Sequence, residues 1–266
     1  MNRVRVLSFG AGVQSSALLL MCDRGDIEPV DFAVFADPGA EPEEVYRWLE
    51  HLRQHIKTPI YIAQKTNIHT DVVGHWAGTI RRCGQPPLFA RDHRDKVGMI
   101  RRHCTKEYKI EVVDRSIRNA LRYRPRQRMR HHIDLLMGIS YDEMGRMRIA
   151  SQKWKTNHYP LVDREITRQQ CIEYVQNLGI GTPPRSACYF CPYKTNEEWR
   201  RLRDESPADW QKAVEFDEAI RTSSSPKLTS RFYVHRSAVP LAQADLGTSD
   251  EGHHSMQDEC EGICGV

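Results

Sequence analysis

The chain has 266 residues, 39% of them hydrophobic and 28% charged, with a net charge of +4. That balance excludes a disordered chain, and the length suits one large domain or a domain with an appendage. No apolar run approaches the ~20 residues of a membrane span, and the apolar part of MNRVRVLSFG runs into a glycine loop rather than a signal-peptide cleavage site, so a cytoplasmic protein with no membrane partner is expected.

Val4–Phe9 is a short β-prone run, followed by Gly10, Ala11 and Gly12 and then by a helix from Ser15 to Met21. Asp31–Asp37 (DFAVFAD) reads as a second, buried strand. Glu41–His55 has helical spacing, with Val45, Trp48, Leu49 and Leu52 on one face. Pro59–Ala63 is a third strand, Lys106–Leu121 a helix and His132–Ile139 another strand. This alternation predicts an α/β fold with a doubly wound parallel sheet. Beyond Pro160 the spacing predicts a helix over Thr167–Leu178 capped by Thr167, and a break at Gly179–Pro184. A helix over Pro207–Arg221 follows, with Ser206 as its cap. Ser223–Ser225 reads as a linker, Arg231–His235 as a late strand, and Gly247–Val266 as a polar tail. The expected organisation is a nucleotide-binding α/β domain over residues 1–180 and a cysteine-rich C-terminal segment over 181–266.

The first strand-to-helix turn is the first candidate site. Glycines allow a tight turn whose amide groups face an anion, and the start of the helix adds its dipole. Ser8, Gly10, Gly12, Gln14, Ser15 and Ser16 are the candidate contacts, with Ser15 and Ser16 as hydroxyl donors. The loop is not a Walker sequence, because no Gly-Lys-Ser/Thr is present, and it lacks the dinucleotide spacing.

Eight cysteines without a secretion signal point to metal binding or redox chemistry rather than a disulfide scaffold. Cys188-Tyr-Phe-Cys191 is the clearest pair. Two thiolates at this spacing suit one zinc or one cluster iron, and a reduced or redox dithiol is the alternative. Cys22 and Cys171 fall within helices and read as buried; Cys83 is ambiguous. The segment Arg115–Arg130 holds seven arginines and is followed by His131 and His132. Such a patch suits a phosphorylated ligand or a nucleic acid, or is a solvated helix face.

Taken in order, these motifs resemble the phosphoadenosine-phosphosulfate (PAPS) reductase family and its relatives, the PP-loop ATP pyrophosphatases. The first loop looks like their modified phosphate loop. Phe35-Ala36-Asp37-Pro38-Gly39-Ala40-Glu41 resembles the Asp-Thr-Gly motif after strand two, and Arg102-His103-Cys104-Thr105-Lys106 with Lys109 resembles the Cys-Thr…Lys segment. Gly138-Ile139-Ser140-Tyr141-Asp142-Glu143 with Arg146 resembles the Gly-Ile-Arg…Glu-Ser…Arg motif, and Tyr159-Pro160-Leu161 the Pro-Leu before the next helix. The likeness spans about residues 4–220. It implies the adenine nucleotide alpha-hydrolase-like fold and an adenylyl nucleotide (PAPS, adenylyl sulfate or ATP) held also by Asp37, Gly39, Lys106, Lys109, Gly138 and Arg146.

The resemblance also implies a [4Fe–4S] cluster, with zinc as the alternative, on Cys104, Cys188, Cys191 and Cys260, and a nucleophilic Cys264 in the terminal Cys-Gly. Exchanging Cys260 with Cys264, or using His103, are the rival ligand sets. Asp142, Glu143 and Arg146 are read as a local charge network, and Arg81, Arg82, Arg101 and Arg102 as further sulfate or phosphate donors. Two departures matter. Gln14 stands where the ATP-splitting relatives carry an aspartate, which favours the reductase branch, and Pro38 replaces a threonine. The implied partner is a thioredoxin-type reductant. The competing expectation is ATP-dependent sulfur transfer to tRNA or DNA, and a third is a non-enzymatic, metal-stabilised nucleotide-binding module.

Overall fold

The computed structural model describes residues 3–224 and 229–247. The expectations for Cys260 and Cys264 lie outside these residues, as does most of the expected tail.

A five-stranded, all-parallel sheet forms the centre. Its strands are β1 (Arg3–Phe9), β2 (Phe32–Asp37), β3 (Ile60–Gln64), β6 (His132–Met137) and β7 (Lys155–His158). They lie in the order β3-β2-β1-β6-β7. The inner strands are apolar on both sides because both faces are covered. Alternation along β1 shows this directly. Leu7 joins a cluster with Leu18 and Leu19 of α1 (Val13–Arg24), Leu49 and Leu52 of α2 (Glu43–Arg53) and Val175 of α6 (Arg168–Asn177). Val6 faces the other way, into a cluster with Val112 and Ile117 of α4 (Glu111–Ala120). Helices on both faces of a parallel sheet make the fold α/β and doubly wound.

A third cluster is built by the rest of the chain. It joins α3 (Ile68–Trp76) to Phe190, to α7 (Asn196–Glu205) and α8 (Pro207–Ala219), and to Phe232 of β8 (Arg231–Tyr233). Phe190 and Phe216 stack at 3.8 Å. β8 pairs antiparallel with β4 (Phe89–Arg91), which pairs with β5 (Val97–Met99), forming a second small sheet. A short helix, α5 (Pro160–Asp163), begins at the proline of Tyr-Pro-Leu.

Several boundaries differ from expectation for physical reasons. The helix expected over Lys106–Leu121 opens as a π-helical turn, Lys106–Ile110, before α4. Thr167 does cap α6, in a reciprocal capping box with Gln170, and Thr195 caps α7 in the same way with Glu198. Ser206 precedes Pro207 as expected but makes no side-chain cap bond. The strands β4, β5 and β7 and the helix α7 carry too few periodic apolar residues to stand out in the sequence, whereas α3 does carry helical spacing in Ile68, Val72 and Trp76.

Candidate functional site

Chain order and strand order diverge at one place. From β1 the chain builds outward to β2 and β3, and then returns to the other side of β1 with β6. In an open parallel sheet, the crevice at such a reversal, beyond the carboxyl ends of the strands, is where ligands bind. Here those ends are Gly10 after β1 and Gly138 after β6, flanked by Asp37 at the end of β2 and Gly39 beyond it.

The two loops touch. A Cβ on Gly138 would lie 2.8 Å from both Cα and N of Ser15, so only glycine lets β6 exit against the first turn of α1. Gly138 thus packs against the Gly10–Ser15 turn. The conformational freedom expected of Gly10 and Gly12 is corrected as well. The left-handed residue of the turn is Ala11, at φ 58°, whereas Gly12 is extended at φ −95°. Ser15 Oγ accepts from the amide of Gly10 at 3.3 Å and donates to the carbonyl of Gly12 at 3.3 Å, tying the turn together. Ser16, the second expected hydroxyl donor, has a neighbour of its own. It is fully buried, and its Oγ accepts from the indole N–H of Trp48 at 2.9 Å. Ser8 lies within β1, opposite Val34 and Met137.

Gln14 organises the β6 side. Its amide nitrogen donates to Glu143 Oε1 at 2.8 Å and to Ser140 Oγ at 3.4 Å, and its carbonyl accepts from Arg168 at 2.8 Å. Glu143 pairs with Arg146, and Asp142 accepts from the amide of Arg168, so the expected charge network is extended by two residues that sequence reading left out of it, Gln14 and Arg168. An amide suits this position because it donates to an acid and accepts from a base at once. An aspartate here would set a second carboxylate beside Glu143. Arg146 has only 11% of its side chain exposed, and its Nε and Nη2 are buried without a hydrogen-bond partner among the described residues.

On the β2 side, Asp37 Oδ1 accepts from the amide of Gly39 at 2.7 Å and from Tyr46 Oη at 2.8 Å. Burial, then the Asp37 charge, push the Tyr46 phenol far above its ordinary value, so it stays protonated and donating. Gly39, at φ 72°, has no room for a side chain, with Gln64 and Asn67 against it. Lys109 extends from the π-helical turn to Glu41 at 3.1 Å, and Lys65 pairs with Glu107 of the same turn. A π-turn inserts one extra residue per helical turn and is common at functional sites. Lys106, by contrast, is exposed. Arg81, Arg82 and Arg101 are exposed too, and Arg102 lies over the Tyr193 ring at 5.3 Å.

Cys188 and Cys191 lie on a tight turn in which the Cys191 amide donates to the Cys188 carbonyl at 2.9 Å. Cys188, Cys104 and Cys83 border the same apolar cluster. The soft thiol donors suit a cluster iron or zinc. Among the described residues alone, no three His, Cys, Asp or Glu side chains form a metal cradle. The fourth expected ligand, Cys260, lies outside those residues, as does Cys264. Cys22 and Cys171 are fully buried, as expected, and Cys83 is buried beside Gln85.

The sequence matches no protein-family model, and no curated protein matches it.

Proposed function

We propose that this chain is an enzyme of the PAPS reductase type that binds an adenylyl nucleotide where β1 and β6 diverge, in an adenine nucleotide alpha-hydrolase-like arrangement. The observation that carries this reading is Arg146. A buried guanidinium with two unpartnered nitrogens costs free energy unless an anion completes it, and a phosphate or sulfate oxygen does so with geometry that suits the fork. The Gly10–Ser15 turn at the start of α1 is a second anion-binding element in the same crevice. In this reading Gln14 positions Glu143, and through it Arg146, while Lys109 brings positive charge from the other side.

The sulfur step assigned to Cys264 is a displacement. Its thiolate attacks the sulfur of an adenylyl sulfate, the S–O bond to the phosphate breaks, and AMP or its 3′-phosphate form leaves with the electron pair. The cysteine then carries a thiosulfonate. A thioredoxin-type dithiol attacks the cysteine sulfur, sulfite departs, and the second thiol frees Cys264 and leaves the reductant as a disulfide. Cys104, Cys188, Cys191 and Cys260 are the residues that would hold a [4Fe–4S] cluster or zinc, which when bound would cross-link these loops through its thiolates. Anaerobically purified protein is expected to show a broad absorbance near ~400 nm for a cluster; a colourless zinc protein selects the alternative.

The test is calorimetric titration of wild type and Arg146→Gln with PAPS, adenylyl sulfate and ATP, alongside sulfite release with a dithiol. Binding of at least one nucleotide that Arg146→Gln weakens by about tenfold supports the reading, a loss of about 1.4 kcal/mol. Equal affinity in both proteins, or none in either, removes the nucleotide site. A second reading, ATP-dependent sulfur transfer to tRNA or DNA, is favoured by the arginine-rich segment after α4; pyrophosphate release that requires nucleic acid would select it.

A further inference from the structure

We infer that the loop between α4 and β6 is a docking surface for the phosphodiester backbone of a nucleic acid. This inference stands apart from the nucleotide site.

Arg115–Arg130 contains seven arginines, and from Arg115 to His132 there is no aspartate, glutamate or lysine. Six of the arginines (115, 122, 124, 126, 128 and 130) are exposed, and none of the six forms an ion pair among the described residues. Of the flanking acids, Glu111 lies one turn before Arg115 on α4 and forms no ion pair with it among the described residues, and the other two are already paired. Asp114 is paired with Lys155, and Asp134 with Arg3 and His158. An uncompensated field of one sign, made of guanidinium forks, suits phosphate oxygens.

The loop is also built. Arg118 is the one arginine of the seven spent on the scaffold: its Nη2 donates to the carbonyls of Arg124 at 3.0 Å and Gln127 at 2.6 Å, while its guanidinium lies 5.7 Å from the Tyr123 ring centroid. The Tyr123 hydroxyl accepts from the amides of Arg130 at 2.9 Å and His131 at 3.3 Å, and Gln127 Oε1 accepts from the Arg124 amide at 2.9 Å. Met129 is buried between exposed Arg128 and Arg130. Arg122 and Arg126 are held in the left-handed region, at φ 58° and 62°. For Arg122 this is the left-handed residue that ends α4 after its cap Leu121, with the Tyr123 amide donating to the Arg118 carbonyl at 2.8 Å.

Position separates the surface from the nucleotide site. The loop enters β6 at His132, and the crevice begins at Gly138, after the strand has ended. Six residues of strand span about 20 Å, too far for one small nucleotide to reach both, so the loop takes a ligand of its own, and exposed guanidinium forks spread over residues 122–130 suit a chain of repeating phosphates better than a single small anion.

The test uses the full chain, with fluorescence anisotropy on a labelled tRNA and a ~20-bp DNA duplex, and with vesicles containing phosphatidylserine as the non-nucleic polyanion. The triple variant Arg124→Gln, Arg128→Gln, Arg130→Gln leaves the left-handed residues and Arg118 in place. It is expected to bind nucleic acid at least 30-fold more weakly than wild type at ~0.1 M salt. The log–log salt dependence should become shallower by about 2–3. Thermal melting and calorimetric nucleotide binding should be unchanged, and Arg→Lys at the same three positions should restore most of the affinity. Whichever of tRNA or duplex binds more tightly identifies the polymer. No nucleic-acid binding below ~10 µM by wild type overturns the inference, as does a triple variant that binds like wild type, or tighter binding to the vesicles. If the triple variant misfolds, the wild-type salt slope and the Lys variant decide. Loss of nucleotide binding with nucleic-acid binding intact counts against the nucleotide reading and leaves this one standing.

Discussion

Ser15 and Ser16 sit side by side at the start of α1, and their hydroxyls go different ways. Ser15 closes the turn onto Gly10 and Gly12, whereas Ser16 accepts from the Trp48 indole. Ser16→Ala is therefore expected to leave a buried indole N–H unpaired and cost about 1–3 kcal/mol in urea denaturation, with nucleotide affinity retained. Ser15→Ala should lose nucleotide affinity, by on the order of 1 kcal/mol in calorimetry, more than stability. Gly138→Ala pushes a methyl into backbone that has nowhere to go, and about 1–3 kcal/mol of stability should be lost. Burial pushes the thiols of Cys22 and Cys83 up to about 11. Both should resist alkylation at pH 8, when the thiolate is scarce. A raised thiol value favours the folded state below pH ~9, and that contribution is lost as the pH rises toward about 11. Rapid alkylation of either thiol in the native protein would contradict its burial.

At the scale of elements, α7 shows how a short polar helix is held. Its sequence, NEEWRRLRDE, is strongly polar, and only Trp199 and Leu202 give it large buried apolar side chains. The capping box of Thr195 with Glu198 satisfies its first amides, and Glu198 also pairs with Arg185, from the segment before the Cys188–Cys191 turn. Burial alone would raise the Glu198 carboxyl, but Arg185 and the Thr195 amide more than offset it and hold it below its usual value. Thr195→Ala should cost about 0.5–2 kcal/mol by thermal or urea unfolding. A cost near zero would mean that tertiary packing alone holds the helix. The π-helical turn before α4 makes the complementary point. Lys106–Ile110 is a good helical sequence, and the wider turn accompanies the contacts of Lys109 with Glu41 and of Tyr108 with Asp71.

For the whole molecule, the relevant fact is that one apolar cluster spans residue 180. Ile68, Val72, Trp76 and Tyr108 pack with Phe190, Trp199, Phe216 and Phe232. A fragment ending at residue 180 would expose the first set, a patch large enough to drive association. It is expected to bind a hydrophobic dye and to aggregate, as seen by light scattering. A monomeric fragment with a cooperative melt would show that the sheet and its helices suffice without the later segment.

Residue pattern alone determined four of the five strands of the parallel sheet, all but β7, and the helices α1, α2, α4 and α6 packed on it. Runs such as FAVFAD can be buried only on both faces, and the strand–turn–helix at Gly10–Gly12 announces itself by its turn residues. Capping at Thr167 and the burial of Cys22 and Cys171 were legible for the same local reason. The tertiary structure decided whatever depends on a distant neighbour. Which serine is spent on Trp48, why residue 138 is glycine, and how Gln14 bridges Glu143 and Arg168 follow from contacts more than 30 residues apart in the chain. A side chain's chemistry is written in the sequence, but its partners are set by the strand order, which brings β6 beside β1 across more than 120 residues.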